Sequence, residues 1–141
     1  MREVKRSAQV ARPQGELYAL INDIESYPQF IPGVTRASVE SRSERQIVAT
    51  LEIRRGPLHA VFTTCNELQP ESRIHMKLVR GPFSVLQGEW RLTPLTASSC
   101  RVDLALRFAF ANPVSGLLFE PLFKTTAASL VDAFVARALA A

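Results

Sequence analysis

Along CRVDLALRFAF, residues 100–110, apolar and polar positions alternate: Cys100, Val102, Leu104, Leu106, Phe108 and Phe110 share one face, and Arg101, Asp103 and Arg107 the other. A period of two is that of a strand with one face in a core and one in water. The same alternation runs through RQIVATLEI, with Ile47, Ala49, Leu51 and Ile53 inward, and less cleanly through LHAVFTTCNEL, RIHMKLV and VLQGEWRL. Turn-forming stretches, ESRSE, RRGP, QPES, RGP and PLTASS, bound these segments, which predicts consecutive antiparallel strands. A first strand, EVKRSAQVA, is set apart by PQGELYALINDI, where Leu17, Leu20, Ile21 and Ile24 recur at helical spacing behind Pro13.

The last stretch, PVSGLLFEPLFKTTAASLVDAFVARALAA, is the longest candidate helix, with a stripe through Phe119, Phe123, Ala127, Leu130 and Phe134. Pro121 lacks a backbone donor and disfavours helical geometry at Glu120, so the expectation is a kink there or a helix whose regular part starts there. The order is strand, one or two short helices, about six further strands, then a long helix. A sheet of that length must cover its apolar face, and the final helix is the element large enough to do so. The prediction is a single α+β domain over residues 1–141, a curved antiparallel sheet of about seven strands gripping a C-terminal helix.

Two stretches stand out within this frame. SYPQFIPG, residues 26–33, is apolar and stiff where a connector is normally polar. Its composition suits neither a long helix nor a paired strand. In GPFSVLQGEWRLTPL, Gly88 permits close approach of a neighbour, and Trp90 beside it serves as core packing or as a ligand contact.

Composition narrows the chemistry. The chain has 47% hydrophobic residues and a net charge of +4, with arginine far outnumbering lysine. The arginines are dispersed, which suits solubilising charge, while Arg36, Arg42, Arg45, Arg54 and Arg55 are candidates for contact with an anionic partner. Cys65 and Cys100 have no metal-ligand spacing, and no metal site is expected. The first residues have no apolar run for a leader or membrane span, so a cytoplasmic protein is expected. His59 and His75 sit in strand-like segments, and nucleophile-elbow, phosphate-loop, dinucleotide and zinc-protease motifs are absent from the sequence, so no catalytic residue is assigned. No DNA partner is expected.

The runs NDIESYPQFIPG, GPFSVLQGEWRLTPL and LFEPLFKTTAASLVDAFVARA resemble those of the START-like proteins grouped as coenzyme Q-binding proteins and the ribosome association toxin RatA, in the polyketide cyclase/dehydrase superfamily. Val34 stands where that family often has cysteine. The resemblance implies the helix-grip (START-like) fold, with an apolar tunnel between sheet and C-terminal helix; on that view Tyr27, Phe30 and Ile31 either gate the tunnel or plug the end of the core. It implies non-catalytic binding of a hydrophobic ligand, an isoprenoid quinone such as ubiquinone, in support of respiration, with no other cofactor required. The tunnel candidates are Tyr27, Phe30, Ile31, Phe62, Trp90, Phe108, Phe119, Phe123, Leu130 and Phe134. The alternative is association with the large ribosomal subunit through the five arginines above, blocking subunit joining; a polyketide or aromatic cyclase ranks third. A quinone carrier is also expected to touch the inner membrane transiently, through SYPQFIPG and PVSGLLFEPLF.

Overall fold

The computed structural model describes residues 1–140, and these form a seven-stranded sheet with one long helix across it. The strands are β1 (Arg2–Val10), β2 (Val34–Arg42), β3 (Gln46–Arg55), β4 (Leu58–Gln69), β5 (Arg73–Arg80), β6 (Phe83–Thr96) and β7 (Ser99–Phe110). Helix α1 spans Gln14–Asn22, a 3₁₀ turn covers Ile24–Gln29, and α2 runs over Pro113–Ala140. The sheet order is β1-β7-β6-β5-β4-β3-β2 with antiparallel neighbours throughout. This is the helix-grip arrangement.

The topology explains the apolar connector. Strands β1 and β2 are consecutive in the chain yet lie at opposite edges of the sheet, so α1 and the 3₁₀ turn must carry the chain across the open end of the grip. A segment that crosses a core end is half-buried and needs an apolar side. Ile24, Tyr27 and Ile31 supply it, at 2%, 8% and 3% exposure.

Bulges between Val34 and Arg36, Val39 and Ser41, and Thr63 and Thr64 interrupt the ladders, and a bulge bends and twists its strand. The strand Val34–Arg42 has no counterpart among the alternating segments of the sequence. It is a sheet edge whose inward positions are Val34, Ala37 and Val39, with one bulge between Val34 and Ala37 and another just after Val39, so its apolar period is broken.

Helix α2 starts earlier than Pro121 and passes through it unbroken. Asn112 caps it, its Oδ1 accepting from the Val114 N–H at 2.8 Å and its carbonyl accepting from the Gly116 N–H at 2.8 Å, and Pro113 occupies the first helical position, where its missing donor is harmless. Pro121 deprives the Leu117 carbonyl of its donor, but Leu117 is 82% exposed and water can take the donor's place. The helix packs more closely on β1 and β7 than on β3 and β4.

Candidate functional site: the cavity between the sheet and α2

Two aromatic clusters divide the space under α2. Phe123 meets Phe108, Phe83 and Phe62 at ring centroid distances of 4.6, 4.9 and 5.7 Å. Phe134 meets Tyr27, Trp90 and Phe30 at 5.3, 5.3 and 5.4 Å. The two phenylalanines are eleven positions apart on the helix, about 16 Å at the α-helical rise. Between the clusters lies a cavity of about 80 Å³, roofed by Thr126, Ala127 and Leu130 of α2.

The floor is set by strand register. One inward-facing row crosses the sheet as Ile47, Asn66, Met76, Gly88 and Leu106. A Cβ on Gly88 would come within 2.4 Å of Leu106 Cδ2 and 2.6 Å of Met76 Cε, so glycine there lets those two side chains meet over the strand. Gly33, at φ +88°, brings the start of β2 against the helix, where an added Cβ would lie 3.0 Å from Thr126 Oγ1.

The lining is apolar apart from a few neutral groups, and no lining side chain among the described residues carries a charge. The Tyr27 hydroxyl donates to the Ile21 carbonyl, and burial, with Asp23 adding to it, pushes its pKa far above the ordinary tyrosine value. Thr126 Oγ1 donates to the Leu122 carbonyl at 3.0 Å. The Thr64 hydroxyl donates to Asn66 Oδ1 at 2.9 Å. Asn66 is 7% exposed between the apolar side chains of Ile47 and Met76, and a buried amide left partly unsatisfied costs about 1–3 kcal/mol. Most lining residues are buried, but Leu51, Thr64, Met76 and Leu130 are half-buried and so mark the mouth, between α2 and the middle of β3, β4 and β5.

Of the ten tunnel candidates, Tyr27, Phe62, Trp90, Phe123, Leu130 and Phe134 line the cavity. Phe108 is fully buried in the Phe123 cluster, Ile31 is core, and Phe30 and Phe119 pack on the core from its rim; none of these four lines the cavity. The connector therefore forms the end wall through Tyr27. Thr64, Asn66, Met76 and Thr126 were not among the candidates. Their signal was in the sequence, since strict alternation through LHAVFTTCNEL puts Thr64 and Asn66 on the same face as Ala60 and Phe62.

The five arginines do not converge. Arg36 and Arg54 flank Glu52 on the outer face, with Arg54 Nη2 3.9 Å from its carboxylate. Arg42 turns to the 3₁₀ turn, with Nη2 3.5 Å from Glu25 and Nη1 donating to the Asn22 carbonyl at 3.3 Å. Arg45 and Arg55 bracket opposite ends of β3, about 30 Å apart at the strand rise. His59 is exposed and His75 pairs in register with Glu67, so neither reaches the cavity. Among the described residues no three metal-ligating side chains cluster, and no helix is long and apolar enough to cross a membrane.

A family model described as polyketide cyclase / dehydrase and lipid transport matches residues 10–135. The ribosome association toxins RatA of Vibrio cholerae and of Escherichia coli strain K12 are each 38% identical over 138 residues, 98% of this chain and 96% and 87% of theirs. The mitochondrial coenzyme Q-binding protein COQ10 of Drosophila melanogaster is 26% identical over 124 residues, 85% of this chain and 51% of that protein. Among solved structures, the Zhui aromatase/cyclase of Streptomyces sp. R1128 superposes with a TM-score of 0.83 at 18% identity, covering 97% of this chain and 93% of that one. A START superfamily protein of Mycobacterium smegmatis gives 0.73 at 23% identity, covering 97% and 93%. With the fold, the cavity and nearly the whole sequence in agreement, the chain belongs to the polyketide cyclase / dehydrase and lipid transport family, in the START-like group of RatA and the coenzyme Q-binding proteins.

Proposed function

We propose that the chain binds a neutral hydrophobic ligand between the sheet and α2 without transforming it, and that the ligand is an isoprenoid quinone carried in support of respiratory electron transport. The observation that carries this reading is the uncharged, aromatic-ended cavity. Each methylene-sized unit of a prenyl tail moved from water into such a space is worth about 0.8 kcal/mol. At about 80 Å³, the cavity is below the roughly 300–1,000 Å³ of small-molecule sites, so a prenylated ring enters with α2 lifted from β3 and β4, where the helix is held less tightly than on β1 and β7. Met76 and Leu130, at the mouth, are the side chains that must give way. The lining offers no acid–base pair and no activated nucleophile, which favours a binder over a cyclase.

Delivery of a quinone needs a bilayer. The start of α2 exposes Val114, Leu117 and Leu118 at 66%, 82% and 50%, a surface suited to brief contact at the cytoplasmic side of the inner membrane. The deciding experiment is solvent extraction and mass spectrometry of protein purified from a quinone-producing bacterium, beside a Leu130→Asp control. A stoichiometric quinone absent from the control supports the reading; an empty wild type overturns it.

A second reading is association with the large ribosomal subunit, favoured by the 38% identity to proteins named as ribosome association toxins. It would use the outer surface, where Arg36, Arg45 and Arg55 are exposed and free of ion pairs among the described residues. Sucrose gradients of ribosomes with wild type and with Arg45→Glu/Arg55→Glu test it: co-migration with the large subunit, lost in the variant, supports it, and absence of wild-type co-migration refutes it.

A further inference from the structure

Three of the polar side chains in the cavity lining have used their donors: Tyr27 on the Ile21 carbonyl, Thr126 on the Leu122 carbonyl and Thr64 on Asn66 Oδ1. The lining's other two side-chain donors, the Asn66 amide nitrogen and the Trp90 indole N–H, meet no protein acceptor among the described residues. Every fully sealed side-chain nitrogen or oxygen among the described residues has a partner. These two are therefore not sealed, and both residues line the cavity.

We propose that Asn66 is the point at which the ligand's polar end is recognised, its amide N–H donating to a carbonyl oxygen of a neutral apolar molecule; this rests on the ligand-binding reading above. Thr64 orients the group. By donating to Oδ1 at 2.9 Å from two residues away on the same strand face, it occupies the amide's oxygen and leaves the nitrogen as its free end. The cross-strand neighbours Ile47 and Met76 offer the nitrogen nothing to bond. An amide in that position contributes little to folding that leucine would not, so its chemistry is suited to something that enters.

The surroundings define the class of molecule. No cation lines the cavity to neutralise a carboxylate or phosphate, and burying either unpaired is strongly unfavourable. Free fatty acids and charged headgroups are thereby disfavoured. The free group is a donor, so the matching ligand group is an acceptor oxygen. Asn66 adjoins Thr64 and Met76 at the mouth, which keeps the polar end near the entrance and leaves the deeper apolar space to the rest of the ligand.

The test is calorimetric titration of wild type, Asn66→Leu and Trp90→Phe with four probes: a decyl-substituted dimethoxybenzoquinone, its dihydroxy reduced form, the same ring and chain without either oxygen function at the carbonyl positions, and decanoate. Loss of one buried hydrogen bond predicts that Asn66→Leu weakens quinone binding about tenfold and leaves the carbonyl-free probe unchanged, which also shows that the variant is folded. If wild type binds neither quinone nor carbonyl-free probe, the ligand-binding reading itself fails. If it binds both and Asn66→Leu weakens neither, or both alike, the reading stands and the role of Asn66 is wrong. A selective loss in Trp90→Phe with none in Asn66→Leu moves recognition to the indole. Preference for the reduced form means that the amide presents its oxygen, and decanoate binding as tight as the quinone removes the neutral class; either result overturns the proposal.

Discussion

The guanidinium of Arg137 lies over the ring of Phe30, with Cζ 5.1 Å from the ring centroid, and so fastens the last turns of α2 to the connector that closes the grip. Arg137 Nη2 also donates to Gln29 Oε1 at 2.9 Å, and Phe30 in turn meets Phe134 edge-on at 5.4 Å. Neither Arg137 nor Phe30 lines the cavity. A double-mutant cycle with Arg137→Ala and Phe30→Leu, read by urea denaturation, should give a coupling of about 0.5–1 kcal/mol with quinone affinity unchanged. Altered affinity or binding rate without a stability loss would show that the connector is a gate and not an end wall.

The buried hydroxyl of Tyr27 makes a second prediction. Tyr27→Phe removes its bond to the Ile21 carbonyl and should cost about 0.5–1.5 kcal/mol near neutral pH. Burial raises the folded-state pKa above that of the unfolded chain. The contribution is thus complete below the unfolded value of about 10, and above it the unfolded chain sheds its proton first and stability falls. Urea midpoints measured from neutral to strongly alkaline pH should show a shallower alkaline decline in Tyr27→Phe than in wild type.

The elements legible in the sequence were those whose burial is one-sided and regular. Cys100 to Phe110 faces core on one side along its whole length, and Phe123, Ala127, Val131 and Phe134 return every three to four residues to a single sheet, so both announce themselves by period. Val34–Arg42 did not, because an edge strand with two bulges has no steady period. Pro121 misled because a rule about backbone donors is silent on exposure, and Leu117 is open to solvent. Cavity residues divide the same way. Aromatic rings were found because size alone marks them, while Thr64 and Asn66 were passed over because polar residues on an inward face look like flaws in an alternating pattern. The arginines are near one another in sequence, but β3 holds Arg45 and Arg55 at opposite ends.

Glu89 tests the outer face. It accepts from Arg73 Nε, and from Arg91 Nε at 3.0 Å. Partial burial pushes its carboxyl up, but the two guanidinium groups outweigh this and hold it below the usual carboxylate range. A lowered folded-state pKa gives stability that is present above the unfolded value of about 4.3 and is lost as pH falls through the folded one. Glu89→Gln should therefore lower stability by about 0.5–1 kcal/mol near neutral pH, and the two proteins should converge as pH falls through the folded-state pKa of Glu89. A difference that persists in acid would assign the loss to packing.

Gly88 links the sheet to the ligand. Its missing side chain leaves the place where Leu106 Cδ2 and Met76 Cε come together, 2.4 and 2.6 Å from where a Cβ would stand. Both are ends of flexible side chains, so Gly88→Ala can fold, with Met76 turned away from β6. Met76 has the cavity on that side, and methionine fills irregular space readily. Overpacking should cost about 1–3 kcal/mol, and a thioether turned into a cavity of only about 80 Å³ takes up room that a ring needs even with α2 lifted. Gly88→Ala should therefore weaken both the quinone and the carbonyl-free probe, in contrast to the selective effect expected at Asn66. Restoring room with Gly88→Ala/Met76→Ala should recover binding of both probes. Calorimetry on the single and double variants decides: if the double variant stays as weak as Gly88→Ala, the glycine acts through the strand and not through the space it leaves for Met76.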